Sequence, residues 1–397
     1  MSFSSSETAK IRAQLPATAR CAYLNTGTCG PLPSVAANAM AEASQNETVH
    51  GRADTEGYQL LATQVAGLRA QLAKVIGALG SEIAFTHNTT EGVNIVLAGF
   101  PWRVGRIVTT TLEHSGTLVP LYQARRRHGI EVSFADIGDG AADRTLDVVS
   151  QALRSEADLL VLSHVCYGTG AVLPIGELVK LAHEAGCRVL VDGAQAVGAI
   201  AVDVAKLGVD YYAFPGQKWL CGPEGTGGLF VRSDLVENLE PTMPGSFSVD
   251  LDAYRQNDPV SLVFLPSAAR FESASVYRPA VAGLSAAVAW LEHLGWGEIY
   301  STISDRTSYA LSRIDELSGV TSSTPADAHA GLVAFDLEGV DSVACVGRLL
   351  GTGVAVRRIP DSGALRLSCG FFTTEEDVDR ALDLIHTCVI ESAVGAP

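Results

Sequence analysis

The sequence contains no apolar run of the roughly 18–20 residues that a helix needs to cross a bilayer, so we expect no membrane span. The N-terminal stretch MSFSSSETAKIRAQLP lacks the apolar core of a signal peptide. The eight cysteines form neither a CxxC pair nor a zinc-ligand spacing, so we predict no metal site, and reduced thiols in the cytoplasm. Basic residues are scarce: 28 Lys and Arg against 44 Asp and Glu give a net charge of −16. Such an acidic surface repels phosphate backbones and anionic lipid, which disfavours nucleic-acid and membrane partners.

The chain has 397 residues, of which 47% are apolar and 18% are charged. This length and composition predict a large core divided between two domains. From about residue 60, helical patterns alternate with short β-rich runs, several of them continuously apolar, as in strands covered on both faces. The alternation predicts an α/β fold with a mostly parallel sheet between layers of helices. The β-rich runs are IAFT, RIVTT, EVSFA, LLVLSH, RVLVD, DYYAF and GGLFV.

The pattern changes after about residue 280, where a helical stretch over Val281–Leu294 precedes GLVAFDL, GVAVRRI, ALRLSCG and a final helix. We therefore predict an N-terminal segment over residues 1–20 that packs with a small domain, a large domain over 21–280, and a small α+β domain over 281–397. The stretch Gly245–Ala269 is rich in Pro, Ser and Asp and predicts an irregular loop.

The most informative block runs from VLVDGAQAVG to YYAFPGQKWLCGPEGTGG. Asp192 ends the strand pattern RVLVD, where an acidic residue is either a helix N-cap or a ligand group, since sites in open α/β sheets lie beyond the carboxyl ends of the strands. Lys218 follows the next strand pattern and has the apolar neighbours Phe214, Trp219 and Leu220. A lone loop lysine is usually solvated, but these neighbours indicate a partly desolvated amine, which is a better Schiff-base nucleophile.

VDGAQAVG, GQKW and GPEGTGG together resemble the fold-type I pyridoxal-5′-phosphate (PLP) enzymes of the class V aminotransferase and cysteine desulfurase family. The resemblance covers nearly the whole chain. Within the family, SHVCYGTGAVLP, VDYYAFPGQKW and GLVAF are most similar to cystine C–S lyases, and isopenicillin N epimerase-like proteins belong to the same neighbourhood. The resemblance implies a mostly parallel seven-stranded sheet flanked by helices, a bound PLP and a homodimer with shared active sites.

The resemblance also implies roles for individual residues around the PLP ring. Lys218 matches the lysine that forms the Schiff base, and Asp192 matches the carboxylate that pairs with the pyridine nitrogen. Gln195 matches the amide that hydrogen-bonds the phenolic oxygen. His114, in TLEHSG, matches the imidazole that stacks on the pyridine face; without the family, a histidine near a strand end is more often a structural hydrogen-bonding group.

A second set of matches concerns the phosphate. Thr89 and Thr90, in THNTTEGVN, match the phosphate cradle, since hydroxyls and free N–H groups at a helix start suit a dianion; an ordinary N-cap is the alternative. Ser275, in RFESAS, matches a hydroxyl that completes the phosphate site of the neighbouring subunit. Two departures affect this site, because Gln217 stands where the family usually has histidine and Pro215 where it often has Ser or Thr. The Gln217 amide can donate to phosphate but carries no charge, and Pro215 has no donor.

A third set concerns the substrate. Arg366, in ALRLSCGFFTTEEDVD, matches the arginine that binds the α-carboxylate through a bidentate pair, with a surface ion pair as the alternative. Arg357 also matches an arginine of the cystine lyase pattern, and Arg358 is the alternative for that role. Asn25, in NTGTCGPLP, belongs to a segment that often approaches the substrate in the family, although a turn residue is equally expected there. Tyr167 stands where many desulfurases carry asparagine, and cystine lyases also have an aromatic residue there.

The family chemistry breaks bonds next to the substrate Cα. Its desulfurases transfer sulfur to a loop cysteine early in the C-terminal domain, but no cysteine occurs between Val281 and Asp336. The sequence therefore favours β-elimination from cystine or an S-substituted cysteine, with Lys218 as the Cα base, to pyruvate, ammonia and a thiol or persulfide. The alternatives are decarboxylating oxidative deamination of an S-conjugated cysteine in antibiotic biosynthesis, transamination, epimerisation, desulfuration, and a binding protein that has lost catalysis.

Overall fold

The computed structural model describes residues 1–53, 55–250, 262–327 and 329–394. In chain order, the strands of this part are β1 (Ala22–Tyr23), β2 (Ile83–Thr86), β3 (Arg106–Thr110), β4 (Glu131–Ala135), β5 (Leu159–Ser163), β6 (Arg188–Asp192), β7 (Tyr211–Pro215), β8 (Gly227–Val231), β9 (Val320–Ser322), β10 (Leu332–Leu337), β11 (Val354–Ala355), β12 (Arg357–Arg358) and β13 (Leu365–Ser368). The helices are Ser5–Ala13, Ser34–His50, Thr55–Ile76, Thr89–Gly99, Ser115–His128, Ala142–Ala152, Ile175–Glu184, Val204–Leu207, Arg278–Leu294, Trp296–Asp315, Ser342–Gly351 and Glu375–Val394.

The main sheet has seven strands in the order β2-β8-β7-β6-β5-β3-β4. Neighbouring strands are parallel except at β8, which runs antiparallel to both β2 and β7. The mostly parallel seven-stranded sheet predicted from the sequence is therefore confirmed.

Both faces of this sheet are buried, which explains the continuous apolar runs. Side chains alternate between the faces of a strand. Leu160 of β5 accordingly packs in one hydrophobic cluster with helix Ile175–Glu184, and its neighbour Val161 packs in another with helix Thr89–Gly99. A strand sandwiched between two helical layers needs apolar residues at every position.

The parallel strands bring distant parts of the chain to one edge of the sheet. β3, β5, β6 and β7 run in the same direction and therefore end at the same edge. Their last residues are Thr110, Ser163, Asp192 and Pro215. The loops that follow these strands lie side by side, where open α/β sheets form their sites.

A second, antiparallel sheet has the strand order β12-β13-β10-β9 and packs against the helices Trp296–Asp315 and Glu375–Val394. The N-terminal part of the chain reaches this unit, because β1 pairs with β11 and Arg12 forms an ion pair of 2.6 Å with Asp377. The predicted boundary after residue 280 falls inside the helix Arg278–Leu294. The division into 1–20, 21–280 and 281–397 stays a prediction.

The predicted loop Gly245–Ala269 lies only partly in the described chain, because residues 251–261 are outside it. Its described part includes an isolated bridge between Val249 and Phe264 and the start of a short 3₁₀ helix, Ala268–Phe271. Within the described residues, no helix combines the length and apolar character that a bilayer span requires.

Candidate active site

Two adjoining cavities open at the carboxyl edge of the main sheet. The inner one has a volume of about 160 Å³ and the outer one about 320 Å³, and both are lined by His114, Tyr167, Gln195 and Lys218. Ten predicted site residues line one cavity or both: Thr89, Thr90, His114, Tyr167, Asp192, Gln195, Gln217, Lys218, Arg357 and Arg366. Asn25 and Ser275, which were also predicted, line neither.

Lys218 lies in a tight loop after β7. The Cys221 N–H donates to the Lys218 carbonyl at 3.1 Å, and Cys221 adopts the left-handed φ of 52°. The N-terminal segment closes over this loop at Gly30, whose added Cβ would lie 2.1 Å from the Lys218 carbonyl oxygen, so only glycine permits the approach. Burial lowers the pKa of the Lys218 amine to about 8, which makes the neutral, nucleophilic form available near neutral pH.

Asp192 is buried at the end of β6. Thr117 Oγ1 donates to one carboxylate oxygen at 2.7 Å, and the Ala194 N–H donates to the other at 2.9 Å. No helix begins at Asp192, so the N-cap alternative does not apply. These two donors hold an anionic side chain in one rotamer at the wall of the inner cavity.

The hydrogen-bond partners of the Gln195 amide show which of its two terminal atoms is the oxygen and which is the nitrogen. The indole Nε1 of Trp219 donates to its Oε1 at 3.0 Å, and its Nε2 donates to the Gly27 carbonyl at 2.8 Å. The amide therefore keeps a second N–H for a ligand in the cavities that it lines.

His114 both caps a helix and lines the two cavities. Its Nδ1 accepts a hydrogen bond of 2.9 Å from the Gly116 N–H and so caps the helix Ser115–His128, while its ring lines both cavities. The ring packs edge-on against Tyr167, with centroids 4.8 Å apart. Burial and, after it, the nearby Lys218 amine lower the pKa of His114, which favours the neutral imidazole.

The inner cavity is also lined by the start of the helix Thr89–Gly99. Asn88 caps this helix through the Glu91 N–H at 2.9 Å, and Asn88, Thr89 and Thr90 all line the cavity. The first N–H groups of a helix have no partner within it and favour an anion. Gln217 lines the same cavity, and its buried Oε1 has no hydrogen-bond partner in the described chain.

Arg366 lies in the wall of the outer cavity and is only 3% exposed. Its Nη1 donates to the Tyr167 carbonyl at 2.8 Å, and its Nε has no partner among the described residues. Arg357 is its direct neighbour across the strands β12 and β13. Burial and then the charge of Arg357 lower the pKa of Arg366 to about 10. Two arginines facing each other repel, so the arrangement favours a bound anion.

Arg358 and Asn25 are placed differently. Arg358, the alternative to Arg357, donates from Nε to Ser342 Oγ at 2.9 Å and lines neither cavity. The Asn25 side chain accepts from Thr28 Oγ1 at 2.7 Å, as in a turn, and the residue that reaches the outer cavity is Thr28 itself. Ser275 is exposed on the surface of the single chain.

Sequence reasoning missed Thr117, Trp219 and Asp361. Asp361 lines the outer cavity and accepts a hydrogen bond from the Tyr167 hydroxyl. Trp219 stands beside Lys218 in GQKW, so its position was a usable signal. Thr117 and Asp361 carry no such signal, because their partners lie 75 and 194 residues away.

None of the eight cysteines lines either cavity in the part of the chain that the structure describes. The remaining residues contain no cysteine by sequence. Cys29 interacts electrostatically with Lys218, and burial raises the pKa of its thiol, which disfavours the thiolate.

The inner cavity has the donor set of a PLP site: a desolvated lysine amine, a buried carboxylate, an amide N–H and a helix N-terminus. The model for aminotransferase class-V matches residues 22–381. The chain belongs to this family. Its members are PLP-dependent enzymes, so the cofactor and the enzymatic nature predicted from the sequence are confirmed.

The chain aligns with similar proteins over most of their length. The chain is 29% identical to a probable cysteine desulfurase of Halalkalibacterium halodurans over 360 residues, covering 84% of each protein. It is 30% identical to a cysteine desulfurase of Escherichia coli O7:K1 over 413 aligned positions, covering 95% of this chain and 98% of the other.

Among solved structures, a mutant of C-DES with glycine covalently linked to the PLP cofactor superposes with a TM-score of 0.89 at 30% identity, covering 94% of this chain and 98% of the other. The complex of the cystine C–S lyase C-DES with its product cysteine persulfide has a TM-score of 0.88 at 30% identity, with coverage of 94% and 99%.

Proposed function

We propose that this enzyme is a PLP-dependent C–S lyase that cleaves the Cβ–S bond of cystine or an S-substituted cysteine by β-elimination. The products are pyruvate, ammonia and a thiol or persulfide. The observation that carries this proposal is that Lys218 and Arg366 line the outer cavity whereas no cysteine does so in the described chain. A desulfurase needs a cysteine at the substrate to accept sulfur, but an elimination needs only a base and a carboxylate clamp. The similarity to the cystine lyase C-DES supports the same choice.

The inner cavity would hold PLP through the residues that line it. Lys218 would supply the amine for the Schiff base, Asp192 would pair with the pyridine nitrogen, and Gln195 would donate to the phenolic oxygen; all three line this cavity. Thr89 and Thr90, at the helix N-terminus, would bind the phosphate. The Gln217 amide contributes a neutral donor where Pro215 has none. Bound PLP supplies an electron sink for the electron pair left on Cα after deprotonation.

The chain itself binds and orients the substrate and moves one proton. Arg366 pairs with the α-carboxylate, and Arg357 adds a second positive charge on the same face. Lys218 takes the Cα proton onto Nζ. As the Cα–Cβ double bond forms, the Cβ–S bond breaks and sulfur leaves with the electron pair. The released enamine takes up water to give pyruvate and ammonia. His114 lines both cavities, and burial lowers its pKa, so its neutral ring adds no charge there.

The product set tests the proposal directly. Purified, PLP-loaded enzyme is incubated with cystine and with several S-substituted cysteines, and products are identified by mass spectrometry. Pyruvate with ammonia and a released thiol or persulfide is the expected result. Carbon dioxide with an aldehyde would instead establish decarboxylating oxidative deamination, and alanine with sulfur on a protein cysteine would establish a desulfurase. Neither outcome is compatible with elimination as the main reaction.

A homodimer with shared active sites belongs to the same proposal. Ser275 is exposed in the single chain and lines neither cavity, which is compatible with a role in a partner's phosphate site. Light scattering should give twice the chain mass, and dissociation should weaken PLP retention. A monomer that remains fully loaded and active would exclude it. A cytoplasmic location and a role in antibiotic biosynthesis stay predictions.

A further inference from the structure

The outer cavity contains a carboxylate that the proposed elimination does not use. Asp361 lines this cavity together with Arg357 and Arg366, and its Oδ2 accepts a hydrogen bond from the Tyr167 hydroxyl. Asp361 forms no ion pair with either arginine within the described chain, although all three line the same space. The cavity thus offers two guanidinium groups and one separate carboxylate.

The α-amino acid end of a substrate gives Asp361 no partner. The α-carboxylate is attracted to Arg366 and repelled by a second carboxylate. The α-amine would bind near Lys218, which lines both cavities. A cysteine derivative with a neutral sulfur substituent would therefore displace water from the Asp361 carboxylate without giving it an opposite charge in exchange.

The sulfur substituent is the part of the substrate left to meet Asp361. The inner cavity has about half the volume of the outer one, at about 160 Å³ against about 320 Å³, and it carries the cofactor groups. Beyond Lys218 and Arg366, the outer cavity is lined by Thr28, Ser115, Arg357 and Asp361, among others. These four side chains carry one cationic group, one anionic group and two hydroxyl groups, which together match a zwitterion.

We propose that Asp361, held in place by Tyr167, selects substrates whose sulfur substituent carries an ammonium group. The matching substrate class is a cysteine joined through sulfur to a second amino acid, of which the symmetric disulfide cystine is the simplest member. This inference rests on the proposed C–S lyase activity and adds the identity of the sulfur substituent to it.

Three disulfides of cysteine differ in the charged groups that their sulfur substituent carries, so together they test each charge on its own. Cystine carries both a distal ammonium and a distal carboxylate, the mixed disulfide with cysteamine carries only the ammonium, and the mixed disulfide with 3-mercaptopropionate carries only the carboxylate. We measure kcat/KM for pyruvate release from each, with the PLP-loaded wild type, Asp361→Asn and Tyr167→Phe. Asp361→Asn keeps the size and the hydrogen-bond acceptor for the tyrosine but removes the charge.

The ratio of kcat/KM for the cysteamine disulfide to that for the mercaptopropionate disulfide reports on Asp361, because Asp361 favours the first substrate and Arg357 favours the second. In Asp361→Asn the ratio of these two kcat/KM values should fall by about tenfold or more, the effect of losing a hydrogen bond to a charged group. Tyr167→Phe, which removes only the hydrogen bond that positions Asp361, should lower the same ratio by a smaller factor. Dissociation constants of the same disulfides, measured by calorimetry with PLP-loaded Lys218→Ala, should follow the same order without turnover.

Two results would overturn the inference and leave the lyase intact. One is an Asp361→Asn variant that keeps the wild-type kcat/KM on all three disulfides. The other is an Asp361→Asn variant that loses the same factor on every substrate, because Asp361 would then only position Tyr167. A wild type that binds PLP but releases no pyruvate from any disulfide would instead reject the proposed lyase, and this inference with it.

Discussion

The indole nitrogen of Trp219 donates a hydrogen bond of 3.0 Å to Oε1 of Gln195. An indole N–H only donates, so it determines which end of the Gln195 amide is the oxygen. The amide nitrogen is thereby directed to the Gly27 carbonyl at 2.8 Å, with one N–H remaining for the phenolic oxygen of PLP. A residue next to the Schiff-base lysine in the chain thus orients a second cofactor ligand.

Replacing Trp219 by Phe should weaken PLP binding. The buried Gln195 acceptor would lose its donor, which costs about 1–3 kcal/mol, so the PLP dissociation constant should rise roughly fivefold to a hundredfold. Absorbance titration of the apo-protein measures this constant, and Gln195→Ala is the matched comparison. If Gln195→Ala weakens binding and Trp219→Phe leaves it unchanged, the indole does not orient the amide.

Thr117 should support the pairing of Asp192 with the pyridine nitrogen. Thr117→Val removes the 2.7 Å hydrogen bond to the carboxylate and keeps the side-chain shape, whereas Thr117→Ser keeps the hydroxyl. We expect Thr117→Val to weaken PLP binding and to shift the pH dependence of the visible spectrum, because Asp192 loses a charge-assisted donor worth about 1.5–3 kcal/mol. Thr117→Ser should restore both properties. A Thr117→Val variant that binds PLP as the wild type does would show that the hydroxyl plays no part in holding Asp192.

Capture of PLP by the apo-protein should depend on pH through Lys218. Only the neutral amine attacks the aldehyde, and burial lowers the pKa of Lys218 from 10.5 to about 8. The second-order rate of PLP incorporation should therefore rise up to about pH 8 and level off above it, whereas an ordinary lysine would continue to gain up to 10.5. Stopped-flow absorbance gives the profile, and borohydride reduction with peptide mapping should place the adduct on Lys218. An adduct on another lysine would contradict the assignment.

Arg366 should strengthen substrate binding but lower the thermal stability of the apo-protein. Removal of a buried partner of a charge pair costs about 2–5 kcal/mol, so Arg366→Met should raise KM at least roughly 30-fold. The same substitution removes a guanidinium that is 3% exposed and whose Nε has no hydrogen-bond partner among the described residues, so the melting temperature of the apo-protein should stay equal or increase. Arg357→Met, on a more exposed side chain, should change KM less. A large loss of stability in Arg366→Met would show that the arginine is structural.

Several features of the fold could be predicted from local sequence. The apolar runs of β5 and β6 require a sheet covered on both faces, and Leu160 and Val161 do pack on opposite sides of it. The positions of Asp192 and Lys218 at strand ends followed from the same patterns, because parallel strands end at a common edge. The motifs around these two residues were specific enough to indicate PLP.

Other predictions depended on contacts that local patterns do not contain. Asn25 was expected near the substrate, but its side chain bonds to Thr28 in a turn, and Thr28 reaches the cavity instead. The choice between Arg357 and Arg358 was open in the sequence, since adjacent residues of a strand face opposite ways and the register decides which one faces Arg366.

The sequence by itself determined the fold class, the cofactor and the strand ends at which the cofactor groups stand, because each depends on residues close together in the chain. Only the tertiary structure decided that Thr117 holds Asp192 across 75 residues and that Tyr167 holds Asp361 across 194. These pairs form between elements that are distant in the chain, so no periodicity or spacing in the sequence reveals them. The chemistry at Cα can therefore be inferred from local motifs, whereas the contact between Tyr167 and Asp361 in the outer cavity is visible only in the folded chain.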